Sequence, residues 1–388
     1  MKQFHYVAGR QVPRPWQVIW SSAASAANSI ASIGGRRPDQ GYEENAMGEQ
    51  YWSPDHPVLE ALRARRLRQD RPGDRGDPHR IGLTVQGGGM RGVVSAAMLT
   101  ALDDLGLSHA FDAIYASSSG AMNGAYFLSG DGWRRLRIYW DYLTTSRFID
   151  LRRYFKGNII DLKYTFETVL AQLEPLDYNT VLHSDVPLHI AITLVDELRT
   201  LTVSEFESKE DLNDALRASA WLPIAIRGTT LFRGQRAIDG TILTTHPHRF
   251  ALEDGCTHVL SLSTRPLGPL SSALALRRLV MNWELGRIRP GLSREHTRAG
   301  QQYRRDRAAL ATWSRSPSEP PYVLDIAPLS WMNEVRPFEM DFGRLIVAAR
   351  QAYDLMTCAI EREDPAELQT GGVRTILRLT PVKGNEDG

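Results

Sequence analysis

The sequence predicts a three-layer α/β/α domain with a mainly parallel central sheet, and three observations predict it. Two strand-turn-helix units follow one another between residues 81 and 128, each an apolar run ending in a turn of small residues. Two further apolar runs, Ala237-Ile238-Asp239-Gly240 and Val259-Leu260-Ser261-Leu262-Ser263, have the length of buried strands. A helical period of apolar residues from Phe342 to Met356 supplies a cover for one sheet face.

Ile81-Gly82-Leu83-Thr84-Val85 reads as a buried strand that feeds Gly87-Gly88-Gly89-Met90-Arg91-Gly92. Glycines there permit positive φ and let backbone N–H groups approach a ligand that a Cβ would obstruct. Val93, Val94, Ala96, Ala97, Leu99, Leu102 and Leu105 then recur at helical spacing, and Gly106 offers a stop. Phe111 to Ala116 reads as the second strand, and Ala121, Met122, Ala125, Tyr126 and Leu128 as the second helix. Between them, Ala116-Ser117-Ser118-Ser119-Gly120 has the form of a serine elbow, with alanine in the first place of G-x-S-x-G. Ser118 is the candidate nucleophile, and the Gly87 to Gly92 loop the candidate oxyanion hole. Arg91 either adds charge to that loop or holds it by bonding neighbouring carbonyls.

A serine nucleophile needs a proton acceptor. His246, His248, His258 and His296 lie downstream, and none has a context that singles it out. Asp239 ends an apolar run and precedes Gly240, and a carboxylate at a strand end is a catalytic position in open α/β sheets. The glycine loop also fits a dinucleotide fingerprint. That reading requires an acid at the end of the next strand, where the sequence has Ala-Ser-Ser-Ser-Gly, and Asp112 stands at the strand's beginning.

These residues together resemble the patatin-like phospholipase family, which combines a G-G-G-x-[RK]-G loop, a G-x-S-x-G elbow and a later D-G-[GA] motif. The segment Ala215-Leu216-Arg217-Ala218-Ser219-Ala220-Trp221-Leu222-Pro223 and the position of Pro247 add to the likeness, which covers roughly residues 81 to 265 clearly and the helices to about 360 more faintly. The resemblance implies a patatin-like fold and a serine-aspartate dyad: Ser118 as nucleophile, Asp239 as base, Gly87, Gly88, Gly89, Met90, Arg91 and Gly92 as oxyanion loop, with Ala116, Gly120 and Gly240 shaping the elbow and the base motif. It implies lipid acyl hydrolysis of the phospholipase A or lysophospholipase kind through an acyl-serine intermediate. Ala116 and Thr241 depart from the pattern, and Thr241 either crowds Asp239 or donates a hydrogen bond that lowers its pKa. Two alternatives stay open: a Ser-His-Asp esterase, and a catalytically silent lipid-binding protein.

Composition bounds the remainder. The 388 residues hold 46 Lys+Arg against 45 Asp+Glu, so overall charge favours no nucleic acid. Histidine and cysteine are too scattered for a zinc site and no calcium loop is visible, so neither metal nor cofactor is expected. Cys256 and Cys358 read as buried packing residues and fit a reducing, cytoplasmic compartment. Residues 1–80 read as an extension and charged linker, with Trp16 to Ile33 docking on the protein or, second, at a membrane interface. Residues 81–365 read as the catalytic domain, and 366–388 as a tail with one strand, Thr375 to Leu379, and a frayed end, Gly384 to Gly388. A basic helical insertion near 270–316 reads first as a solvated face with ion pairs and second as a peripheral contact with an anionic membrane.

Overall fold

The computed structural model describes residues 51–130, 132–155, 157–266 and 274–370. Eight strands form one mixed sheet. Five are parallel and adjacent in the order β3 (Leu188–Leu194), β2 (Ala113–Ser117), β1 (Ile81–Val85), β7 (His258–Leu262) and β8 (Tyr322–Ile326). Three short antiparallel strands extend the β3 side: β4 (Arg199–Val203) and β6 (Gln235–Asp239) pair with β3, and β5 (Thr230–Phe232) with β6. β1, β2 and β7 are buried along their whole length, which explains their mainly apolar character.

Helices cover both faces. Ala113, Tyr115, Val259 and Val323 point to one side, where they pack with Ala251 of α7 (His248–Glu253) and Leu310 of α9 (Leu292–Arg315). Ile114 and Ala116, alternating with them, face Gly124 of α3 (Ser119–Leu128) on the other side. On that side α2 (Gly92–Asp104) packs against α3 and against α10 (Phe342–Glu361), the helix expected from the periodicity of the C-terminal region. Gly106, at φ 72°, ends the turn after α2 as expected.

The stretch read as a charged linker is tied to the sheet. In α1 (Pro57–Arg68), Arg65 is buried and bridges Asp77 at 2.8 Å and Asp112 at 2.8 Å, while Arg63 donates to the carbonyls of Ile360 at 2.7 Å and Ala359 at 2.9 Å at the end of α10. A buried cation is tolerable because two carboxylates surround it. Residues 57–80 are thus integral to the domain rather than a free connection, although most of 69–80 lies at the surface. The basic insertion is a pair of helices, α8 (Leu274–Ile288) and α9, between β7 and β8. Neither cysteine is in a disulfide, and both are buried. The expectations for residues 16–33, 375–379 and 384–388 lie outside the described residues.

Candidate active site

A strand has two edges, and the register of β3 brings Ser118 and Asp239 together. β4 occupies one edge from Ile190 to Leu194. The other edge is taken by β2 up to Ser117, opposite Ala191, and then by antiparallel β6, whose Asp239 is opposite Ile192. The C-terminal ends of β2 and β6 therefore meet head to head. Ser118 follows the first and Asp239 ends the second.

Ser118 is held at φ 56°, ψ −135°, a conformation costing about 1–3 kcal/mol for a residue with a Cβ. Its N–H donates to Ser219 Oγ at 2.9 Å, and Ser219 donates in turn to the Ala191 carbonyl at 2.7 Å. Ser219, the last residue of α6 (Lys209–Ser219), thereby fastens the strained turn to β3. Ala116 lies in the extended strand β2 and is not among the positive-φ residues, so its departure from glycine is accommodated.

Asp239 is buried, and burial pushes its carboxyl up from 3.8 to about 6. Three hydrogen-bonding contacts pull the other way: the Thr241 N–H, the Thr241 hydroxyl and the Ser118 side chain. Both Thr241 donors reach the same oxygen, Oδ1, at 2.8 and 2.7 Å. Thr241 thus donates rather than crowds, and desolvation still outweighs it. Gly240 follows because an ideal Cβ there would lie 2.3 Å from the Ala191 carbonyl oxygen.

The glycine loop is built against the elbow. A Cβ on Gly87 would lie 2.3 Å from the Ser117 carbonyl oxygen and 2.8 Å from Ser118 Cβ. Thr264 Oγ1 donates to the Gly87 carbonyl at 2.8 Å, and the Gly88 N–H donates to Ser119 Oγ at 3.1 Å. The Met90 N–H is taken by the Pro337 carbonyl at 3.1 Å. Gly89, at φ 63°, lines the same cavity as Ser118 and Ser119. Arg91 folds over Gly88, with Nε where it would lie 2.8 Å from a Cβ. Gly92 opens α2, and Gly120 lies within α3.

That cavity is apolar. Met122, Tyr126, Ile138, Leu143, Phe148 and Leu170 are among the side chains around it, and Phe338 and Leu222 join them. Beneath the loop, Tyr139 donates to Asn123 Oδ1 at 3.1 Å, and Asn123 Nδ2 donates to the Gly92 carbonyl at 2.8 Å. Ser219, Tyr139, Asn123 and the Pro337 carbonyl were not singled out by the sequence. Ser219 stood in the small-residue segment before the aspartate, but nothing in that pattern reveals its bridge.

The histidines stand elsewhere. His246 and His248 are buried and meet through their Nδ1 atoms at 3.0 Å. His246 Nε2 lies 2.9 Å from Ser263 Oγ, while Ser261 and Ser263 donate to Asp325 Oδ1 at 2.6 and 2.8 Å. With each hydroxyl proton spent on Asp325, His246 donates from Nε2 to Ser263 and accepts at Nδ1 from His248. This is not a triad: the aspartate serves the serines, and the histidine's second nitrogen faces another histidine. His296 Nδ1 lies 2.8 Å from the Ile242 carbonyl oxygen, and His258 meets His79 ring to ring, centroids 4.2 Å apart and planes tilted by 50°. Asp112, weighed as a ribose ligand, accepts from Arg65, Arg75 and the Ile81 N–H at the far edge of the sheet.

Residues 83–252 match the family model described as patatin-like phospholipase. A stretch of 193 residues is 26% identical to the uncharacterized protein YjjU of Escherichia coli strain K12, covering 49% of this chain and 53% of that protein. The chain thus spans about half the length of that curated relative. Among solved structures, VipD from Legionella pneumophila aligns with a TM-score of 0.42 at 10% identity, over 74% of this chain and 67% of that one.

Proposed function

We propose, from the patatin-like phospholipase domain that residues 83–252 form, that the chain hydrolyses lipid acyl esters through a Ser118-Asp239 dyad. The observation that carries this reading is the head-to-head meeting of β2 and β6, which puts a strained serine beside a buried carboxyl at the wall of an apolar cavity. In this mechanism Ser118 Oγ attacks the ester carbonyl as its proton passes to Asp239, forming the Cβ–O–acyl bond and a tetrahedral oxyanion. The N–H groups of Gly89 and Ser119, the latter at the positive end of α3, receive that charge. Collapse releases the alcohol, which takes the proton from Asp239, and water activated by the same carboxylate then frees the fatty acid and restores Ser118. A carboxyl at about 6 is ionised at neutral pH yet more basic than an exposed aspartate, which argues against Thr241 silencing it.

The apolar lining favours a fatty acyl chain over a polar acid. No described contact joins a histidine to Ser118 or Asp239, so the Ser-His-Asp alternative has no base in place. Product profiling by mass spectrometry on a mixed lipid extract, with native protein against Ser118→Ala and Asp239→Asn, tests the proposal. Free fatty acid release by the native protein alone is the expected result. Hydrolysis undiminished in either variant defeats it.

A further inference from the structure

We propose that the C-terminal half of α8 and the arginine-lined cleft beside it form a docking face for an anionic lipid surface, distinct from the cavity at Ser118. The choice of lipid rests on the hydrolase reading; the face itself does not involve Ser118 or Asp239. Leu279, Trp283 and Arg287 follow one another at four-residue spacing and so share one side of α8. Leu279 is 67% and Trp283 57% exposed. The opposite side of the helix is anchored: Leu285 is buried with Val195, Ile238, Ile242 and Leu292, and Met281 and Ile288 pack on that cluster. A helix held by its own apolar side has no packing reason to present a leucine and a tryptophan to water.

Charge surrounds that apolar pair. The Arg287 guanidinium lies 4.8 Å over the Trp283 ring, and the neighbouring cleft is lined by Arg227, Arg236, Trp283 and Arg287. Two acids serve three of the arginines there: Asp196 pairs with Arg236 and Arg289, and Glu284 stands 3.8 Å from Arg287. Guanidinium groups match phosphate geometry, and tryptophan favours the boundary between head groups and acyl chains. An exposed leucine and an exposed tryptophan with arginines beside the tryptophan fit that boundary, and two side chains fall short of the roughly 800 Å² per partner of a stable protein interface.

Position ties the face to the site. Ile159 lines the cleft and Ile160 the apolar cavity; Pro223 lines the cleft and Leu222 the cavity. Consecutive residues thus line the two hollows, and the chain between them is held where the Ile159 and Ile160 N–H groups both donate to the Ala225 carbonyl, at 2.8 and 3.3 Å. A surface bound at α8 therefore lies beside the proposed acyl cavity. No helix among the described residues is long and apolar enough to cross a membrane, so association through this face is peripheral.

The test is co-sedimentation of the full chain with phosphatidylcholine vesicles, with and without about one-third phosphatidylserine. The native protein is expected to sediment with the anionic vesicles alone and to be released by salt. Arg287→Ala should lower the partition about five-fold, and the Leu279→Ser/Trp283→Ala double variant by more, while Arg304→Ala/Arg305→Ala on α9 changes it less. Equal binding by native protein and double variant, equal binding to neutral vesicles, or dependence on Arg304 and Arg305 instead overturns the proposal. A water-soluble short-chain ester separates the two readings. Hydrolysis by the double variant at the native rate leaves the dyad intact, and no hydrolysis by any form defeats the dyad while vesicle partition still decides the docking face.

Discussion

Two buried serine-aspartate clusters sit at strand ends of the same sheet, and they are built for opposite ends. Around Asp325, Ser261 and Ser263 donate, His246 donates to Ser263, and His248 closes the chain, so both hydroxyls and both nitrogens of His246 have partners. Around Asp239, the neighbouring serine is strained and an apolar cavity opens alongside. The residue types of the first cluster are those of a hydrolase triad, yet their geometry satisfies them. The reactivity proposed for the second rests on the strain its geometry holds.

The largest expected effect follows directly. Ser118→Ala should lower ester hydrolysis by about 10⁴-fold or more, because nucleophile and base act as a unit. Ser263→Ala should keep kcat/KM within about three-fold but cost about 1–3 kcal/mol of stability by leaving Asp325 and His246 short of a partner. Steady-state rates and urea titrations of both variants measure this. A Ser263→Ala enzyme that is folded and inactive would merge the two clusters into one function.

The clusters also differ in how pH acts on stability. Burial raises Asp239 from 3.8 to about 6, so the folded state prefers the protonated acid; that preference is complete below pH 4 and lost as pH rises through 6. Burial lowers His246 to about 4 and lowers His248 as well, so the folded state prefers the neutral rings, and stability falls as pH drops below about 6.5. Asp239→Asn, which can still accept the two Thr241 bonds, should therefore gain up to about 3 kcal/mol at pH 8 and nothing near pH 4, while losing activity. His246→Gln should flatten the acid side instead. Thermal melts across pH 4 to 8 check both slopes, and a Tm of Asp239→Asn below native at pH 8 would mean that the ionised carboxylate is better solvated than its burial implies.

The contrast also shows what the sequence could carry. Ser118, Asp239 and the Gly87 to Gly92 loop were legible because each announces itself locally, by a strand end, a turn and residues too small to obstruct it. Buried strands β1, β2 and β7 were legible from continuous apolar runs, and α2 and α10 from their period. Of the antiparallel corner β4 to β6 only the end of β6, Ala237 to Asp239, was foreseen, because each strand is short and Thr230 to Asp239 mixes charge with apolar residues. Nor was Ser219, whose bond to Ser118 spans 101 positions, or Pro337, whose contribution is a carbonyl that any residue carries. The histidines stayed an open alternative for the complementary reason: a side chain suited to catalysis is equally suited to satisfying a buried polar cluster.

The smallest expected effect probes the balance at the base itself. Thr241→Val removes the hydroxyl bond to Asp239 Oδ1 and keeps the backbone one. A donor to a carboxylate stabilises its ionised form, so its loss should raise the Asp239 pKa further and move the acid limb of kcat/KM upward by about one pH unit. Above that limb a more basic carboxylate takes the serine proton more readily, so the plateau should rise by a modest factor. Nothing at Asp325 touches Thr241, so the fall of stability on the acid side that His246 and His248 set should keep its native slope, whatever the lost hydroxyl bond costs overall. A lower plateau with an unmoved limb would instead make the hydroxyl a positioning group that aims the carboxyl at Ser118, and the comparison would then turn on orientation rather than on basicity.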